Sequence, residues 1–307
     1  MNKHAYSKYV YLTNLAGSNK AASYVKAIEW LCRLLEIEPF SFSDCKNIWV
    51  IESTERIHEL YEFTLLESKK GKASLWNIDS IPISYLRDGF CSAALKSYED
   101  YLIEKHYENE LVDVFDTYNG DESELSNKLD LPLNYPKYLI EGLNGKQGED
   151  IIRAVRVRSN QNVFRKMILS IYNQSCCITG LNIPDLNRAS HIIPWSKDEA
   201  KRLDPTNGLC LSATYDAAFD RNLISLDDDY RLILSKNLRE YATNNCVKEY
   251  FLKKEGMKID LPEKYKPNKD YLTVHRNQGD YSFVCPKETN QRKRHPIATI
   301  SHFSGSR

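Results

Sequence analysis

No stretch of the 307 residues approaches the ~20 consecutive apolar residues needed to cross a bilayer, and the opening Met1-Asn2-Lys3-His4-Ala5-Tyr6 lacks an apolar signal core. The chain therefore reads as soluble and cytoplasmic, with no membrane among its partners. Net charge is also absent: 42 Lys and Arg balance 42 Asp and Glu. Bulk attraction to a polyanion is thereby excluded, and any such affinity has to come from local clustering. The eight cysteines (Cys32, Cys45, Cys91, Cys176, Cys177, Cys210, Cys246 and Cys285) lack the dense, regular spacing of a small secreted disulfide framework, so they read as reduced thiols. No short internal repeat or long low-complexity tract is present. What remains is ordinary globular usage, 42% hydrophobic and 27% charged, with 20 tyrosines to supply amphipathic contact surface.

Length favours two compact units. In the first, Val25, Ile28, Leu31, Cys32 and Leu35 recur at helical spacing, predicting an amphipathic helix over residues 21 to 35. A second helix starts at the capping candidates Ser53 and Thr54 and runs through Ile57, Leu60, Tyr61 and Leu65. A third follows Gly89, with Cys91, Ala94, Leu95, Tyr98 and Leu102 on one side. Ile48-Trp49-Val50-Ile51 is too short to classify. From residue 113 to 150 the periodicity weakens and turn formers interrupt it: Asn119-Gly120-Asp121, Pro132, Pro136, Asn144-Gly145 and Gly148.

The organisation expected is a mainly helical recognition or partner-binding domain over residues 1–112 and a linker over 113–150. A second domain covers 151–285, and a basic tail, Arg292-Lys293-Arg294-His295 included, covers 286–307. Between residues 151 and 184 there is no Asp or Glu at all, while Arg153, Arg156, Arg158, Arg165 and Lys166 are present. Such a cluster can hold phosphates by charge-assisted contacts and counterion release, or it can be a solvated helix face.

The informative constellation follows that cluster: Cys177-Ile178-Thr179-Gly180, Ser190-His191-Ile192-Ile193-Pro194-Trp195, Asn207-Gly208-Leu209-Cys210-Leu211, and Asp216-Ala217-Ala218-Phe219-Asp220. In order and spacing it resembles the HNH endonuclease family, in particular a branch with an S-H-I-x-P-W strand and a D-x-x-F-D helix. Phe164-Arg165 through Tyr172 upstream and Tyr271 to Arg276 downstream extend the likeness to residues 153–276. The resemblance implies an α+β chain, a mainly helical N-terminal domain followed by an HNH ββα-metal nuclease domain. Its first strand would be Ala189 to Ile193, its crossover Lys197 to Thr206, its second strand Leu209 to Leu211, and its helix would start between Ser212 and Asp216.

The resemblance also implies roles. His191 would be the general base toward water attacking phosphorus, and the ordinary titration range of histidine suits that task. Asn207 would orient the imidazole by accepting its ring N–H. Asp216, nine residues after Asn207, would contact a single Mg²⁺ or Mn²⁺ ion, for which oxygen ligands are apt. Ser190 stands where many members carry a second metal-binding Asp or His, so Ser190, water, Asp220 or Asp204 would complete the shell. A structural zinc is not expected. Cys176 and Cys177 are adjacent, Gly180 takes the place of a knuckle's second cysteine, and Ser212 and Tyr215 stand where another pair would be.

The implied function is a metal-dependent DNA endonuclease in restriction or antiphage defence. One HNH site cuts one strand, so a homodimer or a defence-system partner protein would allow a double-strand break. The alternatives are a catalytically weak DNA-binding subunit of a defence complex, and an RNase on the same scaffold.

Overall fold

The structure, a computed structural model, describes residues 2–14, 18–141, 145–196 and 201–282. Cys285, the basic tail and part of the expected crossover lie outside the described residues. The chain begins with α1 (Asn2–Thr13), α2 (Lys20–Ile37) and α3 (Thr54–Lys70), then a short α4 (Ile83–Arg87) and a 28-residue α5 (Phe90–Thr117). Helix α2 forms because Ala21, Ala27, Ile28, Leu31, Leu34 and Leu35 fall on one stripe, and all of them are buried. At the start of α3 the Ser53 hydroxyl accepts the Arg56 N–H at 3.1 Å, satisfying an otherwise orphaned donor. Gly71, at φ +55°, stops the helix. Ile48–Val50 is a 3₁₀ turn whose Ile48 is buried.

Two hydrophobic cores follow from this layout. The first gathers Tyr6, Ile28, Leu31, Ile57, Trp76 and Leu95 from α1 to α5 and their loops. The second contains Phe164, Ile168, Leu209, Leu211, Phe219 and Leu272. Helix α5 serves both, burying Cys91 to Leu102 in the first and Tyr107 and Leu111 in the second. Its length, about 42 Å at 1.5 Å per residue, makes this possible.

The stretch expected as a linker carries structure of its own. Helix α5 runs to Thr117, α6 (Leu125–Lys128) places Leu125 in the second core beside the fully buried Leu129, and α7 (Gly145–Ile171) has already begun at Gly145. Turn-forming residues interrupt the periodicity there because the apolar contacts come singly, from Leu125 and Leu129, rather than from a continuous stripe.

After α7 come β1 (Asn187–His191), β2 (Gly208–Ser212) and α8 (Ala213–Asp220), then a second hairpin of β3 (Ile224–Leu226) and β4 (Leu232–Leu234). Short helices α9 (Lys236–Arg239) and α10 (Asn245–Tyr250) and the closing α11 (Lys269–Arg276) complete the described chain. β1 and β2 are antiparallel, registered from Asn187 opposite Ser212 to His191 opposite Gly208. The architecture is thus α+β, a helical N-terminal half leading into a hairpin and helix. Among the described residues no helix is long and apolar enough to cross a membrane.

Candidate active site

His191 ends β1, and its ring lies flat on Phe164 of α7, centroids 3.6 Å apart and planes 14° apart, with Trp195 edge-on at 5.3 Å. Nε2 lies 3.2 Å from the Arg202 carbonyl oxygen. A carbonyl can only accept, so Nε2 carries the proton and Nδ1 keeps its lone pair. Burial pushes the imidazole down to about 4, against the weaker upward pull of the Arg202 carbonyl. The side chain is therefore neutral at any ordinary pH.

The backbone that supplies this carbonyl is held by Asn207, which is 1% exposed. Its Oδ1 accepts the Ile193 N–H at 2.8 Å, and its Nδ2 donates to the carbonyls of Ile193 and Lys201, each at 3.2 Å. Asn207 thus pins both ends of the crossover and does not touch the imidazole, contrary to the expectation that it accepts the ring N–H. Its alignment of His191 is indirect, through Lys201 and the adjoining Arg202. Arg202 Nε also donates to the Trp195 carbonyl at 3.3 Å, and its guanidinium lies 5.1 Å from the Trp195 ring centroid, closing the crossover a second time.

Asp216 and Asp220 lie one turn apart on α8, where residues four apart are neighbours. The Asp220 carboxyl is pushed up by burial and then by the charge of Asp216, with Arg221 pulling the other way. Two mutually repelling oxygen donors fit a hard divalent ion, above all one that takes only one or two carboxylates and fills its shell with water and phosphate. Among the described residues no group of three or more His, Cys, Asp or Glu side chains is arranged to hold a metal. Among the described residues no carboxylate bonds to His191 or shifts its titration.

The other candidate ligands are placed differently. Strand alternation turns Ser190 to the face of β1 opposite His191, where it is 3% exposed and its Oγ has no hydrogen-bond partner. Asp204 accepts from the Thr206 N–H at 2.8 Å, from its hydroxyl at 2.7 Å and from the Tyr271 hydroxyl at 3.0 Å, so it caps a turn.

The basic residues of α7 are mostly engaged within the protein. Arg158 pairs with Glu104, Lys166 with Glu108 at 3.0 Å and Arg156 with Asp130. Arg165 donates to the carbonyls of Asn187 and Pro184, both at 2.7 Å. Instead of lying outside, Arg165 ties α7 to the start of β1. Arg153 is exposed. In α11, His275 stacks on Phe219 at 3.7 Å and bonds Ser225 and the Phe219 carbonyl, while Arg276 bonds the Leu226 carbonyl and Asp228. Both hold the second hairpin. Cys177 and Cys210 are buried free thiols.

Two contributors carry no sequence signature: the Arg202 carbonyl, a backbone group, and Phe164, which looks like any other core aromatic. A strand, a crossover clamped by an asparagine, a second strand and a helix bearing paired carboxylates form a hairpin-and-helix module. Residues 176–227 match the HNH endonuclease family, and this part of the chain is an HNH nuclease domain. No curated protein matches the chain.

Proposed function

We propose that this protein is a metal-dependent DNA endonuclease of the HNH type that hydrolyses phosphodiester bonds in restriction or antiphage defence. The observation that carries the reading is the tautomer of His191: with Nε2–H committed to the Arg202 carbonyl, Nδ1 is free to take a proton. In this mechanism Nδ1 removes the proton of the water that attacks phosphorus. Phe164 and Trp195 keep the ring dry and oriented, and Asn207 positions it by holding the crossover. Asp216 and Asp220 would hold a Mg²⁺ or Mn²⁺ ion, whose chemistry when bound is to polarise the phosphate and stabilise the leaving 3′ oxygen. Arg153 and Arg156 would meet neighbouring phosphates.

The test is plasmid cleavage with Mg²⁺ or Mn²⁺. Wild type should nick or linearise the DNA, and His191→Ala should lower the rate by roughly 10²–10⁴-fold without loss of fold, as removal of a general base does. Unchanged cleavage by His191→Ala would overturn the assignment, and matched RNA substrates in the same assay separate a DNase from an RNase. A second reading, a DNA-binding subunit of a defence complex with little activity of its own, is favoured by Ser190, which stands where a second metal ligand would be and is 3% exposed on the face of β1 opposite His191. Binding without metal-dependent cleavage would select it.

A further inference from the structure

Helices α5 and α7 lie side by side, and two carboxylates of α5 one turn apart, Glu104 and Glu108, reach across to α7. Glu104, 4% exposed, accepts the Tyr9 hydroxyl of α1 at 3.1 Å and pairs with Arg158 of α7. Glu108 accepts the Asn162 side-chain amide at 2.8 Å and the Lys166 ammonium at 3.0 Å. The donors at 158, 162 and 166 follow at intervals of four, so they form one stripe along α7. Acceptors and donors rise in number together, so the two helices run in the same direction and the contact repeats turn by turn.

Phe164 stands midway between the two residues that Glu108 holds. Two positions are about 200° of helical rotation, so the Phe164 ring leaves α7 on the side away from Asn162 and Lys166. On that side it carries the His191 ring at 3.6 Å. Glu108 therefore grips the back of the turn whose front sets the imidazole. Because its two donors straddle Phe164, sliding α7 along its axis lengthens one bond or the other. The ring stack supplies no such register, since flat aromatic contacts tolerate lateral offset. Arg165 ties the same turn to the start of β1 through the carbonyls of Asn187 and Pro184, so this turn is fastened on both sides. The Lys166 side chain is 52% exposed, and ion pairs so open to water add little to stability. What the contact contributes is placement.

We propose that Glu108 is a positioning residue for His191, holding α7 at the height that puts Phe164 under the imidazole. The catalytic consequence rests on the nuclease reading. Through Glu104 and Tyr9 the same helix pair is rooted in the first core, so the helical N-terminal half helps to set the geometry of the His191 ring.

The test is NMR of the full chain carrying ¹³C-labelled histidine, read beside plasmid cleavage with Mg²⁺. Ring protons held over an aromatic face are shielded, so His191 on Phe164 and His275 on Phe219 should both resonate upfield, and His191→Gln and His275→Gln identify them by their loss. Glu108→Ala should shift the His191 signals downfield, leave those of His275 in place and slow cleavage roughly tenfold, as a displaced catalytic group does. Glu108→Gln, whose amide oxygen can still accept from Asn162, should fall between wild type and Glu108→Ala in both readings. Unmoved His191 signals in Glu108→Ala overturn the proposal. So does an equal movement of His191 and His275, which would mean general loosening of the core. If Glu108→Ala fails to fold, the double variant Asn162→Ala/Lys166→Ala, in exposed residues, decides by the same shifts. Cleavage by wild type and His191→Ala is scored separately. A selective His191 shift in a chain that cuts nothing keeps the positioning and loses the nuclease reading, whereas His191-dependent cleavage with unmoved signals does the reverse.

Discussion

Gly208 faces His191 across the hairpin, and its backbone is extended, at φ −127° and ψ 145°, a conformation open to any residue. Space makes it glycine. A Cβ there would lie 2.2 Å from Ile168 Cδ1, 2.7 Å from Ile168 Cγ1 and 2.9 Å from Phe164 Cζ. Both neighbours are core residues of α7, at most 1% exposed, so neither can swing into solvent. Gly208→Ala should therefore cost about 1–3 kcal/mol, as overpacking of a filled core does. The strain should also reach the chemistry, because the Phe164 ring on which His191 lies is one of the two side chains that must give way; a loss of roughly tenfold or more in cleavage rate is expected. The assay is urea unfolding together with plasmid cleavage for Gly208→Ala, Ile168→Val and the double variant. Ile168→Val alone should cost about 0.5–1.5 kcal/mol. In the double variant it removes the atom in closest conflict, so the two losses should combine to less than their sum by about 0.5 kcal/mol or more. Strict additivity, or a Gly208→Ala protein as stable and active as its parent, would refute the steric reasoning.

Further outcomes follow from the same site. The His191 imidazole is held near 4 in the folded protein against an ordinary 6.5, so as pH falls the unfolded chain takes up the proton first and stability is lost between those values. Between pH 7 and 4.5 wild type should lose about 2–3 kcal/mol more than His191→Gln in urea midpoints, with no difference in slope above pH 7. Asn207→Ala should destabilise by about 2–3 kcal/mol, since it removes the hydrogen bonds to the buried Ile193 N–H and to the carbonyls of Ile193 and Lys201, and should lower the cleavage rate without abolishing it. His275→Ala should lower the melting temperature through the lost contacts with Phe219 and Ser225, yet leave DNA affinity within about twofold in anisotropy.

Elements that rest on local chemistry were legible in the chain. The apolar stripe of α2 and the Ser53 cap appear within a residue or two of where spacing puts them, and the hairpin-helix order around His191 falls within two residues of where the family resemblance implies it. Long-range partners were not legible. The acid-free run at residues 151–184 looks like an open basic surface because its counter-charges lie far upstream: Glu104 is 54 residues before Arg158, and Glu108 is 58 before Lys166. A window on composition cannot see a carboxylate delivered by another helix. Asn207 illustrates the same limit at short range. An amide has donor and acceptor faces, and which groups they meet depends on how the crossover closes, here onto Ile193 and Lys201 rather than onto the ring.

Helix α7 lies outside the segment 176–227 that carries the family likeness, yet it provides the floor under the His191 ring and the filling beneath Gly208. The minimal motif is therefore not a self-sufficient unit in this protein. Cut free at its own borders it would lose Phe164 and Ile168 together, exposing the His191 imidazole to water and opening the sheet on one side. Any transplant of the module to another scaffold has to bring that upstream rod with it.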